Sequence, residues 1–169
     1  MWLYILIAVI VIILIAFFVS YNNFVRENNK VKEAFATMDV YLKKRWDLIP
    51  NIVEIVKGYA KHEKDTLKEV VELRNSTYDK MSDEEKIKTN EQLSSGINKI
   101  MALAEAYPDL KANESFLSLQ KELTTCEEKI TYARQFYNDS VLSYNNKIEL
   151  FPSSIIASMF HFEKEKFFE

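Results

Sequence analysis

The feature that most constrains this chain is an unbroken apolar run at its N-terminus. Trp2 to Val19 contains no charged side chain, and the first formal charge comes at Arg26. About 18 helical residues measure ~27 Å, close to the ~30 Å of a hydrocarbon core. A cleaved signal peptide, the competing interpretation, would carry basic residues before the run and small residues at a cleavage site, and "FFVSYNN" offers neither. We therefore expect an uncleaved transmembrane anchor over residues 1–21.

Aromatic residues flank the run, as they do at the two interfaces of a membrane span: Trp2 and Tyr4 at one end, and Phe17, Phe18 and Tyr21 at the other. Orientation follows from the basic residues near the ends of the span. No Lys or Arg precedes it, whereas Arg26, Lys30 and Lys32 follow it closely. The pattern predicts a single-pass protein of the cell membrane, with the lipid bilayer as a partner, a short N-terminus outside and the body in the cytoplasm.

The rest of the chain has the periodicity of helices. Apolar residues recur at intervals of three, four and seven from Asn22 to Trp46, after Pro50, from Ser82 to Ala104 and from Asn113 to Ile148. In the first stretch this spacing leaves Lys43, Lys44 and Arg45 to water. With Gly 2 and Pro 3, loops must be few and short. No alternating β-branched run predicts a sheet.

We therefore expect an all-α protein with an antiparallel, up-and-down four-helix bundle of long helices over residues 22–150. An apolar C-terminal tail follows at 151–169. Two helix starts are marked: Ser82 and Glu85 form a capping box, and Asn113 caps the longest stretch.

The proline in "KKRWDLIPNIVEIVKGYA" admits two interpretations. The apolar positions keep their phase across Pro50, which favours one helix kinked at the proline. Asp47, however, is a good N-cap, and proline is tolerated in a first turn. A continuous helix would also leave much of its apolar stripe unpaired. We favour a helix break at Asp47 and Pro50, with a hairpin there.

Several long blocks resemble the LemA family. They include "VKEAFATMDVYLKKRWDLIPNIVEIVKGYAKHEKDTL", "ALAEAYPDLKANESFLSLQKEL", "RQFYNDSVLSYNNKIELFPSSIIASMF" and the closing "FFE", in the expected order. The resemblance implies an N-terminal transmembrane helix, a small external N-terminus and a four-helix bundle, with no established enzymatic activity. Some members are associated with the formation of intracellular membrane compartments, so the resemblance also implies a membrane-organising role. The tail "HFEKEKFFE" is more charged than the family's glycine- and proline-bearing tails.

The residues suggest no catalytic or metal centre. His62 could pair with Asp65 on one helix face, but it has no second histidine on that helix and its neighbours look solvated. Cys126 lies on an apolar stripe beside two glutamates, which suits a buried thiol better than a nucleophile. No glycine-rich loop is present. A net charge of -3 gives no basic stripe for nucleic acid. We expect no enzyme and no cofactor.

Surplus aromatic residues in "TYARQFYNDSVLSYN" offer a candidate interface. Tyr132, Phe136, Tyr137 and Tyr144 cannot all face one stripe, so core and rim packing competes with a partner surface. Among them we select Tyr132, Phe136 and Tyr144.

The tail segment "FPSSIIASMFHF" either lies in the membrane interface or covers the end of the bundle. We expect a homo-oligomer that scaffolds or organises membrane. The alternative is a sensor or adaptor whose bundle binds a cytoplasmic protein or a ligand.

Overall fold

The structure, a computed structural model, describes residues 1–60, 63–73 and 77–168, with the backbone alone at 64–66, 69 and 73. Within these ranges all regular elements are helical, and the all-α prediction is confirmed. A short 3-10 helix covers Tyr78–Lys80. The six α-helices are α1 (Trp2–Tyr59), α2 (Lys64–Leu73), α3 (Asp83–Glu105), α4 (Pro108–Lys111), α5 (Glu114–Glu149) and α6 (Ser153–Met159).

The four long helices of the predicted bundle are not confirmed. Helix α1 takes 58 residues and α5 takes 36. By contrast, α2 has 10 residues, α4 has 4 and α6 has 7. One α-helix thus carries the candidate anchor and the first apolar stripe without an intervening loop.

The predicted break at Asp47 and Pro50 is wrong, because α1 runs through both residues and ends only at Tyr59. The apolar stripe gives the physical reason. Trp46, Ile49 and Val53 are all at most 5% exposed, so the residues on either side of the proline are buried on one face. An interior proline costs ~3 kcal/mol, whereas each fully buried large apolar side chain contributes ~1.5–3 kcal/mol. Burying these apolar side chains on one continuous helix face therefore outweighs the backbone hydrogen bond that Pro50 cannot make.

Both predicted helix starts are confirmed. At α3 the Ser82 Oγ accepts a hydrogen bond from the Glu85 amide at 3.3 Å, and the Glu85 carboxylate accepts one from the Ser82 amide at 2.7 Å. At α5 the Asn113 Oδ1 accepts from the Phe116 amide at 3.0 Å. Each cap satisfies amide groups that the first turn of a helix leaves without a partner.

The chain divides into two compact units, and α1 and α5 contribute to both. The first unit comprises residues 1–37 and 133–169. Its core is built from the middle of α1, the end of α5, α6 and the tail. The buried apolar residues are Phe24, Val31, Ala34, Ala133, Tyr137, Val141, Tyr144, Ile156, Ala157 and Phe168.

The second unit comprises residues 38–132. In it α2 packs against α3, and α3 packs against α4. The approach of α2 to α3 is close at Gly96, where an added Cβ would lie 2.7 Å from the Val70 Cγ2. The 3-10 helix is held to α1 because the Tyr78 hydroxyl donates to the Asp39 carboxylate at 2.6 Å, and the Tyr78 ring packs on Trp46.

Candidate functional site

The N-terminal part of α1 is a candidate membrane span. Among the described residues it is the one helix that is long and apolar enough to cross a bilayer, and none of its most apolar stretch is buried inside the protein. Of the predicted interfacial aromatic residues, Trp2 is 88% exposed, Tyr4 is 77% exposed and Phe18 is 62% exposed. Phe17 and Tyr21 are half-buried instead, because protein side chains already contact them.

Those contacts form an aromatic cluster where the apolar run of α1 ends. The Phe160 ring lies 5.8 Å from Phe17 and 4.7 Å from Tyr21, measured between ring centroids. The Phe162 ring stacks on Phe24 at 4.9 Å, with 12° between the ring planes. The aromatic cluster therefore joins the segment after α6 to the boundary between candidate span and body. Phe160 and Phe162 therefore pack on α1 within the first unit, and the two interpretations of the tail stay predictions.

The extended tail beyond the aromatic cluster is bound through its backbone. The Asn145 side chain accepts from the Glu165 amide and donates to the Glu165 carbonyl, both at 2.9 Å. The Asn138 side chain does the same for Phe168, both at 2.8 Å. The Tyr137 hydroxyl donates to a third tail carbonyl at 2.9 Å. The sequence pattern did not predict these roles, although Asn138 and Asn145 are seven residues apart and so share a face of α5.

A buried carboxylate, Glu27, links α1 to α5 within the first unit. Its Oε1 lies 3.0 Å from the Lys147 Nζ and 3.1 Å from the Lys30 Nζ, and the Ser143 hydroxyl donates to its Oε2 at 3.3 Å. Burial by itself would raise the pKa of Glu27, but the two lysines outweigh burial and hold the pKa below its ordinary value. The group is therefore an ionised part of the structure at neutral pH.

The second unit contains a buried cation. Arg45 is 3% exposed, so the expectation that it faces water is wrong. Its Nη1 lies 2.8 Å from the Glu127 carboxylate and donates to Asn90 at 3.3 Å, while its Nε has no hydrogen-bond partner among the described residues. Burial lowers the pKa of Arg45, and the Glu127 charge opposes that change. A signal was available, since Arg45 is three residues after Leu42 and so falls on the apolar stripe.

Arg45 lines a partly open cavity of about 370 Å³ between α1, α3 and α5. Five of the other side chains around it are polar: Ser94, Asn98, Gln120, Thr124 and Glu127. The remaining three are apolar: Ile97, Met101 and Leu123. Pockets that bind drug-sized ligands are mostly apolar with a few placed polar groups, so this more polar cavity would suit a small polar molecule instead. Here the placed groups include a buried guanidinium and a half-exposed carboxylate.

The predicted interface residues do not share one environment. Tyr132 is 72% exposed and Phe136 is 57% exposed, so both rings are available on the surface of α5. Tyr144 is only 2% exposed, and its ring packs edge-on against Phe24 at 6.5 Å. The assignment of Tyr144 to an interface is therefore wrong. It belongs to the core of the first unit, because the helical register that exposes Phe136 turns Tyr144 inward.

The residues weighed for chemistry give no centre in the described part of the chain. Cys126 is buried, and burial raises the pKa of its thiol, as expected for a small core residue. His62 lies outside the described residues, and so does the side chain of Asp65. Within the described ranges no three His, Cys, Asp or Glu side chains are grouped closely enough to hold a metal ion.

Comparison with known proteins finds similarity to Protein LemA and to magnetosome proteins named MamQ. Protein LemA of Metamycoplasma hominis is 28% identical over 141 residues, which cover 80% of this chain and 63% of that relative. Magnetosome protein MamQ of Magnetospirillum gryphiswaldense is 21% identical over 96% of this chain and 71% of its own length. Magnetosome protein MamQ 2 of Paramagnetospirillum magneticum is 25% identical over 73 residues, 43% of this chain. The chain thus spans less than two thirds of the first of these relatives.

A family model extends this similarity along most of the body. The model of the LemA family matches residues 34–169, which include the second half of α1, all of α5 and the bound tail. The match therefore covers the Arg45 cavity and the contacts of Asn138 and Asn145. This chain belongs to the LemA family.

Proposed function

We propose that this protein is a membrane-anchored, non-enzymatic helical protein that self-associates and organises the membrane that holds it. The observation that carries the proposal is the continuity of α1, which joins a candidate membrane span to the core of the first unit without a loop. Family membership and the similarity to magnetosome proteins support a membrane-associated role. The proposed orientation, with the body in the cytoplasm, is supported by the basic residues that follow the span.

Self-association requires an exposed surface whose burial against another copy lowers the free energy. The span offers Ala8, Ala16 and Ser20 but no GxxxG pattern, so it should associate weakly by itself. On α5 the exposed rings of Tyr132 and Phe136 are four residues apart. Aromatic side chains dominate the energy of protein interfaces, and a standard interface buries ~800 Å² per partner. We propose that these two rings contribute to contacts between copies.

Light scattering of the full chain in detergent tests the proposal. We expect particles several times the 19.9 kDa of one chain, after the detergent contribution is subtracted. Phe136→Ala should move the particles towards monomer without changing helix content. The matched control is Leu117→Ala, which removes an exposed apolar side chain elsewhere on α5. A wild-type chain that stays monomeric in detergent and in lipid nanodiscs, at every concentration, would overturn the scaffold proposal.

The Arg45 cavity favours a second candidate function, a sensor that binds a small ligand. The side chain of Arg45 is 4% exposed and that of Glu127 is 53% exposed, and both line the cavity, where the buried guanidinium adjoins a carboxylate open to solvent. The two charges already pair at 2.8 Å, so a ligand would have to compete with that pair, and a small zwitterion supplies both the carboxylate and the ammonium needed to do so. Glutamate is a suitable probe. Saturable thermal stabilisation that Asn98→Ala removes would support the sensor, and no shift at millimolar glutamate would count against it.

A further inference from the structure

Helix α6 has two apolar faces, and the protein covers only one. Ile156 is 8% exposed and Ala157 is 2% exposed, so this face packs into the first unit. On the other face Ile155 is 53% exposed and Met159, four residues later, is 60% exposed. The flanking residues extend this surface, with Leu150 at 62%, Phe151 at 81% and Phe160 at 44%. We call Leu150, Phe151, Ile155, Met159 and Phe160 the α6 surface.

The position of the α6 surface along the membrane normal is set by the aromatic cluster. Phe160 contacts Phe17 and Tyr21, at centroid distances of 5.8 and 4.7 Å. Phe17 and Tyr21 stand where the apolar run of α1 gives way to polar residues. Aromatic residues at such a boundary sit at the level of the lipid headgroups. When α1 spans a bilayer, Phe160 must therefore lie at that level, and α6, which ends at the adjacent Met159, meets the leaflet at the end of the span.

The charge pattern specifies the kind of contact. The segment 150–160, "LFPSSIIASMF", contains no ionisable side chain. Of the lysines that flank it, Lys147 is paired with Glu27 and Lys164 is paired with Glu149. Both cations are thus already engaged by carboxylates of the first unit. The contact must depend on apolar insertion and needs neither anionic headgroups nor low salt.

We infer that the α6 surface inserts into the membrane interface beside the span, so that the chain touches the bilayer at two points. The occupant is lipid, because the surface continues the apolar exterior of α1 through Phe17 and Phe160. This inference rests on the proposed membrane anchoring of α1. It is independent of self-association, since one copy of the chain already presents both contacts.

Spin labels on the full chain in phosphatidylcholine vesicles test the inference. Ile155→Cys places a label on the α6 surface, and the native Cys126 is buried and so reacts more slowly. Ala36→Cys is the matched control, because it is exposed in the same unit but lies about 17 residues, or ~26 Å of helix, beyond Val19. Ile10→Cys reports whether the span itself is inserted. Each label is measured for collisions with oxygen, which dissolves in lipid, and with a water-soluble nickel chelate.

We expect the oxygen-to-nickel accessibility ratio at Ile155 to be several-fold that at Ala36 and to stay below that at Ile10, because the α6 surface lies at the interface and Ile10 lies in the middle of the span. The ratio should not change between low and high salt, and Met159→Cys should repeat it if the first variant folds poorly. A label at Ile155 that collides with nickel as often as the one at Ala36 would overturn the inference. So would a label shielded from both reagents, since protein would then cover the surface. Water access at Ile10 would instead refute the anchoring itself.

Discussion

Replacement of Pro50 by alanine tests the continuity of α1. Within a helix, proline costs ~3 kcal/mol relative to alanine, because it lacks an amide hydrogen and its ring crowds the preceding turn. Alanine also makes the unfolded chain more flexible, which removes ~0.4–1 kcal/mol of that gain. The difference predicts that Pro50→Ala raises the free energy of unfolding by about 2 kcal/mol. A chain of this length would melt several degrees higher.

The same substitution has the opposite sign if a helix begins at Asp47. Proline in the first turn loses no hydrogen bond, so alanine would bring only the entropic penalty and would lower stability by up to ~1 kcal/mol. Urea unfolding of the full chain in detergent, followed by circular dichroism, measures the change. The control is Asn51→Ala at the neighbouring exposed position, where propensity alone should add about 0.5 kcal/mol.

Distance measurement gives a second, structural readout. Spin labels at Val40 and Glu54 are on exposed positions of α1 within the second unit. A continuous helix holds them ~21 Å apart at 1.5 Å per residue. A hairpin at Asp47 would bring them to ~10 Å, the spacing of packed helices. A distance near 10 Å between the two labels, together with destabilisation by Pro50→Ala, would show that α1 is not continuous through Pro50.

Three further outcomes are expected. Gly96→Ala should destabilise the chain by about 1–3 kcal/mol because the new Cβ meets a buried valine, whereas Gly58→Ala, with open space around it, should be neutral or stabilising in the same urea titration. The pKa of Glu27 is lowered in the folded state, so its contribution to the free energy of unfolding is present above its ordinary pKa of 4.5 and is lost as pH falls. The Glu27→Gln variant should therefore be less stable at neutral pH, and its stability should depend less on pH in the acid range. Asn145→Ala should speed hydrogen exchange at the Glu165 amide, and unchanged exchange there would refute the tail contact.

The periodicity of apolar residues predicted which side chains are buried better than it predicted how the helices connect. Leu42, Ile49 and Val56 are buried as the stripe indicates, and the caps at Ser82 and Asn113 are where the sequence places them. The break at Asp47 failed because local cap preferences are worth about 1 kcal/mol, less than the burial that the phase of the stripe preserves.

The environment of Arg45 and the contacts of the tail depend on residues that are distant in sequence, and the spacing of apolar residues within one helix does not identify such partners. Arg45 was assigned to water together with Lys43 and Lys44, although it lies three residues after the buried Leu42 and is itself buried. It is buried because Asn90 and Glu127, distant in sequence, supply acceptors that a single helix cannot reveal. The contacts of Asn138 and Asn145 with the tail were likewise inaccessible, because they bind backbone groups and leave no signature in the side chains of the tail.

The absence of a loop between the candidate span and the core of the first unit has a mechanical consequence. A span that does not match the thickness of the surrounding bilayer accommodates the difference partly by tilting. In this chain Val19 and Phe24 belong to the same helix, and Phe24 is 1% exposed in the core of the first unit. No joint is present to absorb the rotation. If a change in bilayer thickness tilts the candidate span, the part of α1 in that core is expected to turn with it, so that bilayer thickness would change the orientation of the first unit.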